Sequence, residues 1–387
     1  MKHVAVVGAG LAGLSAARAV RKQGFDGELT VVGAEPHRPY DRPPLSKEFL
    51  AGGVTTADLA LEADGEDLSA EWRLGVTATH LDVAAGRIGL DDGSAVDADG
   101  IVVATGACAR SLSGPPLRAG VHTLRSLDDA VRLRADLRPG SRLVVIGAGF
   151  IGAEVASTAW ELGCRVTVLE AAPTPLSGPL GVQMGALVAG LHAAHGVTMH
   201  CGTAVSGLLG TDRVSGVALA DGREIPADVV VVGVGARPNV SWLHGSGLEV
   251  GDGVRCDHRG ATGHAGVVAV GDCAAWLDPE TGRHQRLEHW TAARERPAIA
   301  VATLLVGARP ELASAPRRER APYFWSDQYG LRIQFAGRAR PDDDVSLEIG
   351  RVDEASFLAV YRRQGRAVAV LGVDQEEEFT RRRRQLA

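Results

Sequence analysis

Short runs of apolar residues alternate along this chain with longer stretches in which apolar residues recur every three or four positions. The run from His3 to Val7 reads as a buried strand, and Leu14 to Val20 as the apolar face of a helix. Val31-Val32-Gly33-Ala34-Glu35 then reads as a second strand that ends in a carboxylate. The same order returns in the second copy: Leu143 to Ile146, Ala153 to Leu162, and Val166-Thr167-Val168-Leu169-Glu170. Between first strand and helix each copy carries a glycine hexapeptide, and the two hexapeptides start 139 residues apart. They are Gly8-Ala9-Gly10-Leu11-Ala12-Gly13 and Gly147-Ala148-Gly149-Phe150-Ile151-Gly152.

The pattern has a chemical meaning. Glycines between a strand and a helix make a tight turn and let main-chain amides approach a pyrophosphate at the helix N-terminus. An acid at the end of the next strand accepts hydrogen bonds from a ribose diol. A single hexapeptide is weak evidence, because glycine turns between strand and helix are common. Two complete units predict a protein that holds two dinucleotides. Gly8, Gly10, Gly13 and Glu35 belong to one site, and Gly147, Gly149, Gly152 and Glu170 to the other.

Further along, Ile101-Val102-Val103-Ala104-Thr105-Gly106 reads as a buried strand entering a turn of small residues. A Pro- and Gly-containing linker from Ser111 to Leu117 precedes the second unit. That unit closes with a strand over Gly216 to Leu219 and another within Asp228 to Gly235. Gly266 to Ala274 holds one more buried strand, ending in Gly271-Asp272. A helix is expected from Trp290 to Val306, with Pro297 leaving its start unsettled. After Pro316 the texture turns aromatic and alternating: Tyr323 to Trp325, Leu331 to Phe335, Phe357 to Tyr361 and Ala367 to Leu371. These read as antiparallel strands of a small α+β domain.

With 387 residues, two or three domains are expected. No apolar run approaches the roughly 18 residues of a membrane span. The chain enters its first strand at once, so no signal peptide is expected and the cytoplasm is the expected address. The five cysteines show no metal-ligand or CxxC spacing and are expected as buried free thiols, with no disulfide framework or metal site. The formal net charge is −6, yet from Arg309 to Ala387 arginines outnumber acids 15 to 13. Arg381-Arg382-Arg383-Arg384 reads as a solvated helix face or a frayed tail. Nucleic acid is a poor partner, because the overall charge is negative and aromatic residues do not interleave with the arginines.

Several of these motifs together resemble one family. They are Tyr40-Asp41-Arg42-Pro43-Pro44-Leu45-Ser46-Lys47, Ala104-Thr105-Gly106, and Gly149-Phe150-Ile151-Gly152-Ala153-Glu154. Gly233-Val234-Gly235-Ala236-Arg237-Pro238-Asn239, Gly271-Asp272 and Glu288-His289-Trp290 complete the set. The whole chain resembles the FAD-dependent, NAD(P)H-linked ferredoxin reductases that serve cytochrome P450 and Rieske oxygenases, within the glutathione-reductase-like flavoproteins.

The resemblance implies an α/β fold with two Rossmann-like dinucleotide-binding domains, for FAD and NAD, plus a C-terminal α+β domain. The expected boundaries are 1–112 with 236–315 for FAD, 113–235 for NAD, and 316–387 for the C-terminal domain. It implies that Gly8, Gly10 and Gly13 hold the FAD pyrophosphate, Glu35 its adenosine ribose, and Asp272 its ribityl chain. Arg42 and Lys47 are implied to lie along the same cofactor. So are Ala104, Thr105, Gly106, Gly271, Glu288, His289, Trp290 and Trp325. For NAD it implies Gly147, Gly149, Ile151, Gly152, Glu154, Glu170 and Gly235. Lys47 and Glu154 are implied to meet at the reactive flavin edge as the catalytic pair. A buried lysine needs such a partner. The stiff Arg-Pro-Pro loop suits a cation held against an anionic ligand. Glu170, followed by Ala171 and Ala172, favours NADH by repelling a 2′-phosphate.

Absent residues sharpen this reading. Disulfide reductases and NADH oxidases of the superfamily carry cysteine near the Lys47 region, and here none occurs between Ala34 and Gly75. Electrons must then leave for an external acceptor. A [2Fe–2S] ferredoxin feeding an oxygenase is expected, with arginines of the C-terminal region steering it. A rubredoxin, or O₂ in an NADH oxidase, are alternative acceptors. A switch protein resembling apoptosis-inducing factor is the alternative from another class. A monomer or weak homodimer, no membrane and no metal complete the expectation. Ala292, Arg296 and Asp374-Gln375-Glu376-Glu377-Glu378 depart from the family pattern and leave the acceptor open.

Overall fold

A computed structural model describes residues 1–112, 119–306 and 321–386. Most of the expected linker from Ser111 to Leu117 lies outside the described residues. The expected boundary at 315–316 and the arginines at 309, 317, 318 and 320 lie outside them too. The chain divides into two compact units, one comprising Met1–Asp41, Ala60–Cys108 and Arg237–Arg320. The other comprises Arg42–Leu59, Ala109–Ala236 and Ala321–Ala387.

The first unit is built on a five-stranded parallel sheet in the order Val267–Ala269, Gly100–Val103, His3–Val7, Glu28–Gly33, Glu71–Leu74. The three central strands are rich in buried valine and isoleucine, among them Val4, Val6, Val31, Val32, Ile101 and Val102, because both faces are covered. The helix Leu11–Lys22 buries a stripe of small residues, including Ala12, Gly13, Ala16 and Ala17, which lets it lie close to the sheet. The expected helix runs from Trp290 to Val306, straight through Pro297. Proline removes one helical donor, but Ala300, Val301, Leu304 and Leu305 are buried in the core and hold the helix in place.

The second unit repeats the plan with a parallel sheet ordered Thr198–His200, Arg165–Leu169, Arg142–Ile146, Val229–Val232, Val121–His122. Its fingerprint helix, Phe150–Glu161, is buried from Gly152 to Thr158 and at Ala159. The C-terminal residues form a five-stranded antiparallel sheet: Tyr323–Gln328, Leu331–Gly337, Arg366–Val373, Ser356–Arg363, Asp344–Arg351. Alternation decides its two faces. Ile333, Phe335, Phe357, Ala359 and Leu371 pack with Leu180, Met184 and Val188 of the helix Ser177–Ala194. Ala336, Leu358, Val360 and Val370 pack instead with Phe379 of the terminal helix Glu376–Arg383.

Two expectations need correction here. The arginine run ends a helix rather than forming a frayed tail, and of the four side chains Arg381 and Arg384 are exposed while Arg382 and Arg383 are half-buried. Glu376, Glu377 and Glu378 open that last helix and Arg381, Arg382 and Arg383 close it, matching its dipole. Arg382 pairs with Glu348 at 2.7 Å and Arg383 lies 4.0 Å over the ring of Tyr323. Cys164, Cys256 and Cys273 are buried, but Cys108 is half-buried and Cys201 is exposed. No described helix is long and apolar enough to cross a membrane.

Candidate functional site

Both glycine loops have the geometry that the turn demands. Gly8 has φ +120° and Gly147 φ +101°, backbone conformations that glycine alone adopts readily. A Cβ on Gly13 would stand 1.8 Å from the carbonyl oxygen of Gly8, and one on Gly152 would stand 2.1 Å from that of Gly147. Those two glycines exist to bring helix against strand. At Gly149 a Cβ would meet nothing within 4 Å, so the protein leaves open space over the loop. Neither helix receives a side-chain cap at its N-cap, Gly10 or Gly149. Uncapped amides at both helices, with open space at Gly149, fit a bound pyrophosphate.

The carboxylates that follow are already organised. Glu170 accepts from the main-chain nitrogens of Ala148 at 2.8 Å and Ala172 at 2.7 Å. It therefore ties its own strand end to the glycine loop. Glu35 accepts a hydrogen bond from the hydroxyl of Tyr40 at 2.5 Å. Ile151 is largely exposed beside the second loop, and Gly235, at φ +100°, accepts a main-chain bond from Arg110.

In the first unit, the Ala104-Thr105-Gly106 turn is fastened to Asn239. Thr105 donates to the carbonyl of Asn239 at 2.6 Å, and the Asn239 amide donates back to the carbonyl of Thr105 at 3.1 Å. Gly271, Asp272 and Cys273 form a short 3-10 turn after the strand Val267–Ala269. Asp272 and His289 are electrostatic neighbours. Burial pushes the His289 imidazole below its usual range while the Asp272 carboxylate pulls it upward. Trp290 donates to Asp41 at 2.7 Å, and Glu288 pairs with Arg286.

The second unit brings Lys47 and Glu154 together. The ammonium nitrogen lies 3.1 Å from Glu154 Oε1, with both side chains about nine-tenths buried. Glu154 also accepts from Ser46 at 2.5 Å and from Ser326 at 2.7 Å. Burial pushes its carboxyl above the ordinary range, against the pull of Lys47 and those two hydroxyls. Asp327 stands 3.6 Å from the same ammonium, and the ring of Trp325 is 5.7 Å away. Arg42 donates to the carbonyl of Arg125 at 2.6 Å.

Sequence reasoning missed Ser46, Ser326 and Asp327 as members of this cluster. Ser46 stood beside Lys47 in a quoted motif. Ser326 and Asp327 follow Trp325 on an ordinary alternating strand and gave no signal of their own. Among the described residues no group of three or more His, Cys, Asp or Glu side chains is placed to hold a metal ion.

Residues 2–296 match the model of the family described as pyridine nucleotide-disulphide oxidoreductase, and residues 323–387 match one described as reductase C-terminal. The chain is 40% identical over 380 residues to the ferredoxin reductase component of chlorobenzene dioxygenase from Cupriavidus sp. (strain PS12), covering 97% of this chain and 90% of that one. It is 34% identical over 389 residues to putidaredoxin reductase CamA from Pseudomonas putida, again covering 97% and 90%. Among solved structures, the covalent putidaredoxin reductase–putidaredoxin complex superposes with a TM-score of 0.93 at 32% identity, covering 99% of this chain and 92% of that one.

Proposed function

Because the chain belongs to the pyridine nucleotide-disulphide oxidoreductase family, we propose that it is an FAD-dependent NADH:ferredoxin oxidoreductase. It passes electrons from NADH through FAD to a small [2Fe–2S] ferredoxin, which feeds a P450 or Rieske-type oxygenase. When bound, FAD would supply the chemistry that side chains cannot, accepting two electrons as one hydride and releasing them singly.

The observation that carries the reading is the pairing of Lys47 with Glu154 beside a second, open glycine loop, in a chain with no cysteine between Ala34 and Gly75. Lys47, held by Glu154, fixes a positive charge where hydride arrives and electron density grows. Glu154, saturated by Ser46, Ser326 and Lys47, keeps that lysine from swinging away. Glu170 takes the NAD ribose hydroxyls with its remaining lone pairs and rejects a 2′-phosphate.

The FAD site takes Gly8, Gly10, Gly13, Glu35, Arg42, Lys47, the turn at Ala104 to Gly106, Gly271, Asp272, Glu288, His289, Trp290 and Trp325. The NAD site takes Gly147, Gly149, Ile151, Gly152, Glu154, Glu170 and Gly235. Residues 1–112 with 236–315 form the FAD domain, 113–235 the NAD domain and 316–387 the C-terminal domain. The protein works in the cytoplasm as a monomer or weak homodimer.

Cytochrome c reduction tests the whole reading. With NADH alone the purified yellow protein reduces cytochrome c slowly, and a [2Fe–2S] ferredoxin accelerates it severalfold. Equal rates with and without ferredoxin would remove the proposed acceptor.

A further inference from the structure

Arg286 closes the strand Arg283–Arg286 and stands opposite Ala275 on the strand that leaves the Gly271–Cys273 turn. Its side chain is about nine-tenths buried. One terminal nitrogen donates to the main-chain carbonyl of Asp272 at 3.1 Å and also to the carboxylate of Glu288. The other terminal nitrogen lies 3.2 Å from Asp252. The backbone of Gly253 is pressed against its aliphatic stem, for a Cβ there would stand 2.8 Å from Arg286 Cδ. The third nitrogen, Nε, is buried without a hydrogen bond. An unsatisfied buried donor is a cost that ordinary packing avoids.

Asp272 and Glu288 are both met by one terminal nitrogen, Nη1, at the end of the guanidinium fork, while Nη2 faces Asp252. A lysine side chain ends one bond short of Nη1, so its ammonium does not reach the position from which Nη1 meets both Asp272 and Glu288. Two of the three acceptors belong to segments 16 residues apart, Gly271-Asp272 and Glu288-His289-Trp290, and the third, Asp252, immediately precedes the strand Gly253–Cys256.

We propose that Arg286 is a positioning residue that holds these two segments in register for the flavin half of FAD. This rests on the reading above that both segments face FAD. Arg286 does not touch the cofactor in this account; it acts through Asp272 and Glu288. The adenosine half, held by the loop of Gly8, Gly10 and Gly13 and by Glu35, is outside its reach.

That split defines the test, made on the full-length chain after removal of flavin. Two quantities are measured in wild type, Arg286→Met and Arg286→Lys: the Kd for FAD, from flavin fluorescence, and the Ki of ADP-ribose as a competitor of FAD rebinding. Loss of the charge-assisted hydrogen bonds that set the Asp272 and Glu288 segments is expected to raise the FAD Kd by about tenfold to a hundredfold. The expected result is that rise in both variants, lysine included, with the ADP-ribose Ki unchanged. An unchanged FAD Kd in Arg286→Met overturns the proposal. A rise in Kd and Ki together, with a lowered melting temperature, overturns it as well, because Arg286 then serves the fold at large. Should Arg286→Met fail to fold, the same two constants in Arg286→Lys decide. If folded wild type itself does not bind FAD, the underlying flavin reading fails, a result distinct from either.

Discussion

The main-chain nitrogen of Ala148 donates to Glu170 Oε2 at 2.8 Å, so the acid ending one strand braces the glycine loop that follows its neighbour. A carboxylate braced in this way presents its remaining lone pairs in a fixed direction. That is what recognition of a ribose diol requires and what a 2′-phosphate cannot tolerate. Glu170→Gln keeps the size and an acceptor but removes the charge. The expected outcome is a fall in kcat/KM for NADH of about tenfold, near 1.4 kcal/mol, with a rise for NADPH. Steady-state kinetics with the two nucleotides decide it. A wild-type preference for NADPH would reverse the assignment of Glu170.

Lys47 and Glu154 are buried together, and removing one member strands the other's charge or leaves its hydrogen bonds unmade. Lys47→Ala is expected to cost about 3–5 kcal/mol of stability and to slow flavin reduction by about tenfold or more in stopped-flow mixing with NADH. Lys47→Ala with Glu154→Gln is expected to restore much of the stability but not the rate, because the proposed function has the lysine, not the glutamate, facing the developing charge. An unchanged reduction rate in the single variant would leave the pair a structural ion pair only.

The parts of this molecule that could be read from sequence are those where chemistry constrains several consecutive residues. Each glycine loop needs Gly for a left-handed turn and again for close helix packing, as Gly147 and Gly152 show, and so it leaves a pattern. The edge strand Asp344–Arg351 was not anticipated, because its largely exposed residues show little of the alternation that marks a half-buried strand. The helix Ser177–Ala194 escaped for the opposite reason: it is apolar on many sides, and Gly181 breaks its helical geometry. The meeting of Lys47 with Glu154 came from family resemblance, since nothing in their spacing brings them together. Ser326 and Asp327 join them through strand placement, which a local pattern does not encode.

His192 offers a measurement on stability rather than turnover. It is buried against Tyr329, sharing a 2.5 Å hydrogen bond with the tyrosine hydroxyl, while His195 stacks on the same ring at 4.1 Å. Burial, aided by the nearby His195, lowers its pKa from 6.5 to about 4. Between those values the unfolded chain binds a proton that the native chain does not. Stability is therefore present above pH 6.5 and is lost as pH falls toward 4, by roughly 3 kcal/mol in all. His192→Gln removes the titration. Urea unfolding from pH 7 to pH 4.5 is expected to show a weaker protein at neutral pH with a shallower acid slope. A variant whose acid slope matches wild type would place the sensitivity elsewhere.

Gly149 and Gly152 separate binding from folding within one loop. Gly149 sits at φ −71°, ψ 176°, extended backbone that any residue adopts, and a Cβ there meets no protein atom within 4 Å. Gly149→Ala therefore leaves the melting temperature unchanged. Its new methyl occupies open space that the proposed function assigns to the NAD pyrophosphate, so the Kd for NAD⁺ in calorimetry is expected to rise by about tenfold, near 1.4 kcal/mol. Gly152→Ala drives a methyl to 2.1 Å from the carbonyl oxygen of Gly147. Helix and strand must part to admit it, so that variant loses stability and nucleotide affinity together. If Gly149→Ala binds NAD⁺ as wild type does, the open space above the second loop is not where the pyrophosphate lies.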